Sequence, residues 1–219
     1  MPLSADPTQG LASFMDDVRT QFKAKHAARE QSLALCRDAL RHSANAIRAV
    51  HRSEFDGAEK LLAEARVMLE QAGEALADHQ DIFYAGFVHN AAKEFVEGCI
   101  TLAIIAGRPL PSPADLGVEP AAYMNGLGEA VGELRRHLLD SLRRGEVERC
   151  EGVLAAMDDI YTALVTMDYP EAITGGLRRT ADAMRGILER TRGDLTVALV
   201  QRKLERRLEE FQGRLPPTP

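Results

Sequence analysis

The stretch HNAAKEFVEGCITLAIIAG, His89 to Gly107, decides how the chain is read. From Gly98 to Gly107 it carries no charge, so it reads as a buried helix. Yet Glu94 and Glu97 stand near its start, three residues apart and on one helical face. Like charges at this spacing are mildly destabilising. Removal from water raises the penalty, because a desolvated carboxylate must be paired or protonated. Two readings are open. The pair lies on a solvated helix edge with Lys93 and other cations nearby, or it binds a hard divalent cation. Mg²⁺ takes oxygen ligands and keeps several of its waters, so two or three carboxylates suffice.

Outward from this stretch, almost everything falls at helical period. Apolar residues at Leu11, Phe14, Val18, Phe22, Leu33, Cys36, Leu40, Ile47 and Val50 step by three and four over much of this span. They predict one helix of about forty residues, roughly 60 Å long. That exceeds the width of a compact domain of this size, so the helix is expected to bend or to pack on other subunits. HRSEFDG breaks the pattern, and Ser53 with Asp56 is expected to cap a second helix carrying Leu62, Ala65, Leu69, Ala72 and Leu76 on one face. A third helix, starting near Asp78 to Asp81, is expected to contain the opening stretch. GRPLPSPADLGVEP, Gly107 to Pro120, reads as a long loop with four prolines and two glycines. Pro120 opens a fourth helix, which ends at LRRG with Gly145 as a left-handed cap. Glu146 and Glu148 open a fifth, MDYPEAITGG turns the chain, and a last long helix covers about Leu177 to Phe211. No alternating strand pattern, internal repeat or second domain is evident. The expectation is an all-α antiparallel bundle of about seven helices, occupying 11–212, with disordered tails at 1–10 and 213–219.

Composition narrows the function. Of 219 residues, 45% are apolar and 27% charged, which places the chain among folded globular proteins. A net charge of -6 argues against a surface that binds any nucleic acid nonspecifically, while leaving room for a local basic patch. Cys36, Cys99 and Cys150 are widely spaced and suit reduced thiols. MPLSADPTQG has neither a basic start nor an apolar run, and no apolar run approaches the ~20 residues of a membrane span. A cytoplasmic protein with no membrane partner is therefore expected.

The segment AAYMNGLGEAVGELRRHLLDSLRRG holds a second oddity. Gly126, Gly128 and Gly132 interrupt an apparent helix, each at a cost of about 1 kcal/mol relative to Ala. Such a cost points to close backbone approach, either to another helix or to a ligand. Glu129 and Glu133 share a face of that helix, and either completes a carboxylate cluster with Glu94 and Glu97 if the two helices are neighbours. The glycine spacing is not a dinucleotide fingerprint and no strand precedes it. The six histidines form no zinc motif. Lys93 and Arg136 lie beside the acids, where a cation either meets solvent or holds a phosphate oxygen.

Three stretches together resemble the translin family, specifically its translin-associated factor X branch and the short prokaryotic members. AKEFVEG (Ala92 to Gly98) is similar to the family's Glu-aromatic-x-Glu helix. YMNGLGEAVGELRR (Tyr123 to Arg136) is similar to its Tyr-Gly-Asp/Glu-Gly-Glu-Leu-Arg segment. MDYPEAITGGLRRTADAMRGILERTRGDLT (Met167 to Thr196) is similar to the C-terminal helices of the prokaryotic members. The resemblance implies a seven-helix fold assembling into a hollow homo-octamer. It also implies binding of single-stranded RNA or single-stranded DNA, and metal-dependent endoribonuclease activity. It implies Glu94, Glu97 and Glu129 as catalytic metal ligands for Mg²⁺, with Mn²⁺ able to substitute. Where factor X has Asp, Glu129 is one methylene longer. Glu133 is the reserve ligand. Lys93 and Arg136 are the expected phosphate contacts, and Tyr84 and Phe87 the expected base-stacking residues. The alternative is a non-catalytic single-stranded RNA/DNA-binding protein of the translin type.

Overall fold

The computed structural model describes residues 8–212. The expected tails fall outside this range, except that residues 8–10 form a turn into the first helix. Among the described residues there are helices and no strand. The helices are α1 (Leu11–His51), α2 (Phe55–Ala75), α3 (Gln80–Phe83), α4 (Phe87–Ile105), α5 (Pro113–Leu116), α6 (Pro120–Arg143), α7 (Cys150–Val165), α8 (Glu171–Thr174) and α9 (Leu177–Gln212), with a 3₁₀ turn at Val147–Arg149 before α7. Three of the nine are single turns, so six helices carry the bundle. None is long and apolar enough to cross a membrane.

The α1–α2 hairpin is antiparallel: Ser32 Oγ, early in the paired part of α1, donates to the carbonyl of Ala72 near the end of α2 at 3.0 Å. The hairpin packs on α4, α4 packs on α6, and α6 packs in turn on α7 and α9. Helices α4 and α6 thus stand at the centre. Their facing residues Val96, Ile100, Val131, Leu134 and Leu138 have no exposed surface. Full burial of such side chains is worth about 1.5–3 kcal/mol each.

Four local expectations are corrected. Ser53 does not cap α2. It adopts φ +61°, and the next amide, Glu54 N, bonds back to Ala49 O at 2.9 Å, so Ser53 closes α1 as a left-handed C-terminal residue. The third helix does not run unbroken from the Asp78–Asp81 region, because Gly86 takes φ +100° and splits it into α3 and α4. The proline-rich loop contains α5, held by a capping box. Ser112 Oγ accepts from Asp115 N at 3.1 Å and Asp115 Oδ2 accepts from Ser112 N at 2.8 Å. The chain after Gly145 first makes the 3₁₀ turn, and α7 begins only at Cys150.

Two apolar stripes remain uncovered within the single chain. Leu11, Phe14, Val18 and Phe22 line the start of α1, and Val197, Val200, Leu204, Leu208 and Phe211 line the end of α9. Both follow the three- and four-residue steps of one helix face.

The helical glycines of α6 divide sharply. At Gly126 an added Cβ would lie 2.5 Å from the Lys93 carbonyl oxygen and 2.7 Å from Val96 Cβ. At Gly128 it would lie 2.5 Å from Thr180 Cγ2, and at Gly132 it would meet nothing within 4 Å. Gly126→Ala is therefore expected to lower stability in urea unfolding by about 2 kcal/mol or more, because backbone and a β-branched residue cannot yield. Gly132→Ala is expected to raise stability by up to about 1 kcal/mol through helix propensity.

Candidate metal centre

Helix α4 presents Glu94 and Glu97 along one edge, and α6 crosses beside it to present Glu129. One carboxylate oxygen from each lies within 4.8 Å of the others. All three residues are half-buried. Burial, and secondly the Glu129 charge, push the Glu94 carboxyl above its ordinary range. Glu97 is affected most: burial first, then the charges of Glu94, Glu129 and Glu133, raise it from 4.5 to about 8. Lys93 offsets this only in part, since its Nζ donates to Glu129 Oε1 at 2.8 Å.

Glu133, one turn beyond Glu129, has a different environment. His51, at the end of α1 with a side chain only 6% exposed, places Nε2 at 2.5 Å from Glu133 Oε2. That hydrogen bond, more than any other influence, holds the Glu133 carboxyl below its ordinary range, so the imidazole Nε2–H donates to a carboxylate. Arg136 Nη1 lies 3.6 Å from the same oxygen. The structure thus brings Glu94, Glu97 and Glu129 together and sets Glu133 apart as a separately satisfied anion.

The acids open onto a cavity of about 690 Å³. Lys93 lines it, whereas Arg136, Tyr84 and Phe87 do not. Tyr84 is 69% exposed and stacks edge-on against Phe83. The Phe87 ring packs against the small core that contains Cys36 and Leu76.

The cavity is also lined by residues that spacing alone did not single out: His89, Asn125, Gly175, Gly176, Arg179 and Thr180. Burial, and then the Lys93 charge, push the His89 imidazole below its ordinary value. Asn125 is 2% exposed; its amide donates to the Thr174 carbonyl at 2.7 Å and accepts from the Thr180 hydroxyl at 2.8 Å. The one local signal for this wall is the Gly175–Gly176 doublet, whose two left-handed residues turn α8 into α9.

No family model matches the chain. It is 30% identical over 190 residues to an uncharacterized protein of Methanocaldococcus jannaschii, covering 86% of this chain and 84% of that protein. The structure of AfC3PO in complex with duplex RNA superposes with a TM-score of 0.79 at 33% identity, over 86% of this chain and 97% of the other. A crystal structure of AfC3PO gives the same TM-score and identity, with 98% of its chain covered. The apo-NeC3PO crystal structure shares the fold at a TM-score of 0.76 and 18% identity, over 90% of this chain and 100% of that one. Matched over nearly the whole length of AfC3PO, with the same all-helical architecture, the chain belongs to the translin family, which includes the C3PO proteins.

Proposed function

We propose that this protein is a metal-dependent endoribonuclease that hydrolyses phosphodiester bonds of single-stranded RNA, and of single-stranded DNA as a second substrate class. The observation that carries the reading is the convergence of Glu94, Glu97 and Glu129 from two helices, with one carboxylate oxygen of each within 4.8 Å of the others. A half-buried carboxyl with two further carboxylates within 4.8 Å, holding its proton to about pH 8, is poorly placed as a solvated surface group. The same arrangement suits a hard cation. Three oxygen donors match Mg²⁺ or Mn²⁺, and the set contains no sulfur or imidazole. AfC3PO, a relative of 33% identity, has been solved with duplex RNA, which supports RNA as the ligand class.

On this reading Glu94, Glu97 and Glu129 hold Mg²⁺. A bound ion of this kind activates water and stabilises charge on the phosphate being cleaved. The chain's own groups prepare for that. Lys93 fixes Glu129 and leaves positive charge on the cavity wall where a phosphate would approach. Glu133, kept ionised by His51, is the reserve carboxylate one turn away. The Lys93–Glu129 ion pair favours a second reading, since it satisfies one of the acids without any metal. That reading is a non-catalytic single-stranded RNA/DNA-binding protein of the translin type. Assembly into a homo-octamer, with the apolar stripes of α1 and α9 covered by neighbouring copies, belongs to the same proposal. So does a cytoplasmic location, where the free thiols of Cys36, Cys99 and Cys150 stay reduced.

Cleavage of labelled single-stranded RNA separates the two readings. The expected result is cleavage with Mg²⁺ or Mn²⁺, none in EDTA, and a loss of about a hundredfold or more in Glu97→Gln. Binding without cleavage under every metal condition would leave the second reading standing. Thermal melting gives an independent check. At an ion concentration of about 100 times Kd, Mg²⁺ is expected to stabilise the wild type by about 2.7 kcal/mol, and Glu97→Gln to lose most of that increment.

The metal-free protein is also expected to show a specific pH dependence. The Glu97 proton is held more tightly in the folded chain than in the unfolded chain. Its contribution is therefore complete below about 4.5 and is lost as pH rises towards about 8. Melting in EDTA should fall between pH 5.5 and pH 8 in the wild type, and Glu97→Gln should flatten that fall.

A further inference from the structure

The α8–α9 corner lines the same cavity as the acids, and its chemistry suits an anion. Gly175 and Gly176 both adopt positive φ, +61° and +93°. The space that side chains would fill there is taken by two nitrogenous groups. The His89 ring lies over Gly175, where a Cβ would come within 3.0 Å of its Cε1. The Arg179 guanidinium lies over Gly176, where a Cβ would come within 3.1 Å of its Nη2. The corner itself is tied down. Asn125 grips both sides of it, accepting from Thr180 and donating to Thr174.

The two cations that line this cavity are in opposite states. Lys93 is committed to Glu129 at 2.8 Å. Arg179 has only a 3.5 Å contact with Glu171, and the two side chains are 85% and 70% exposed. An ion pair that open to water is weak and gives way readily to a better acceptor. The exposed Arg179 guanidinium beside this turn keeps its planar fork open to a ligand. That fork matches two oxygens of a phosphate.

We infer that Arg179, seated on the Gly175–Gly176 corner, binds a second backbone phosphate of the nucleic-acid strand whose scissile phosphate lies at the acids. This rests on the proposed reading that the cavity receives such a strand. It assigns the two walls complementary tasks. The acid wall engages the phosphate to be cut, and the corner engages another phosphate of the same chain. The ligand of the corner is therefore a polynucleotide rather than a mononucleotide or inorganic phosphate.

The test is the salt dependence of binding of a labelled single-stranded oligoribonucleotide to the full-length protein in EDTA, where cleavage does not interfere. Loss of one phosphate contact on a single strand reduces the magnitude of the log K against log[salt] slope by about 0.7. Arg179→Ala is expected to show that reduction, with affinity weakened by about tenfold at low salt. Arg179→Lys should recover the slope but only part of the affinity, because it keeps the charge and loses the fork. Arg178→Ala, at an exposed neighbour outside the cavity lining, should change neither. The Mg²⁺-dependent melting increment and the elution volume of Arg179→Ala should match wild type.

An unchanged slope in Arg179→Ala overturns the assignment, even if cleavage is seen. So does an equal change in Arg178→Ala, or competition by inorganic phosphate as effective as competition by unlabelled strand at equal phosphate concentration. A lower melting temperature with the slope intact identifies Arg179 as a support for the corner only, and equally overturns it. A reduced slope in a protein that cleaves nothing keeps the phosphate contact and removes only the nuclease.

Discussion

The close approach of α6 to α4 at Gly126 is the constraint on which the site depends. The position a Cβ would occupy is 2.5 Å from a backbone carbonyl oxygen, so the two helices meet backbone to backbone at this point. Nothing between them can relax the contact as a flexible side chain would. The consequence follows one turn further along α6. Glu129 reaches across to Lys93 and to the edge that carries Glu94 and Glu97. A wider crossing would return each acid to its own stretch of solvent. Gly128 does the same on the other flank, where α9 comes close enough for Thr180 and Met184 to occupy the missing side-chain volume. Two glycines two residues apart therefore seat α6 between its neighbours and set the depth of the cavity between α4 and α9.

That geometry crowds like charges together, and the electrostatics show where. Glu133 and Glu129 lie on the same helix, one turn apart. Glu133 receives a hydrogen bond from a nearly buried imidazole and is stabilised as an anion. Glu97 receives no such bond and is surrounded by acids. A fold selected only for stability would neutralise or replace it. Glu97 lies among Glu94, Glu129 and Glu133, and Lys93, though paired with Glu129, offsets its upward shift only in part. Arg179 lines the same cavity. The cavity thus carries both signs of charge, the three acids with Lys93 beside them and Arg179 on the first turn of α9.

Much of this was legible in the sequence, and what was not has a common cause. Long helices follow from apolar periodicity, and α1 and α9 match their expected spans within a residue or two at each end. The cost of glycine inside a helix signalled close packing, and two of the three α6 glycines show it. Gly132 does not, since propensity reveals a cost and not the neighbour that explains it. Helical spacing put Glu94 and Glu97 on one face and left Glu129 and Glu133 as alternatives for the third acid; the resemblance to the translin family pointed to Glu129. Ser53 was misread because Ser followed three residues later by Asp suits a helix start. Its left-handed backbone is instead fixed by the carbonyls of α1. Arg179 carries no signal of its own in the sequence. Its place on the cavity depends on Asn125 holding the α8–α9 corner, a contact 49 residues away in sequence to Thr174 and 55 to Thr180.

Helix α9 connects the cavity to the uncovered surface of the molecule. Its first turn supplies Arg179 and Thr180, while the segment from Val197 to Phe211 carries an apolar stripe that this chain leaves open. An isolated helical segment of that length is marginal in water, because propensity alone barely offsets the entropy of ordering it. Leu195 is the last fully buried residue of α9, and beyond it Leu199 packs only partly against the core. Covering the stripe with another surface would stabilise those turns. Because a helix transmits position along its axis far better than a loop does, the same contact would steady the first turn as well. The start of α1 carries a similar stripe of Leu11, Phe14, Val18 and Phe22, and it too belongs to a helix whose buried residues begin only further along, at Ser32. Both long helices therefore spend their inner turns on the bundle and extend apolar outer turns beyond it, where only contact with a second surface would remove those side chains from water.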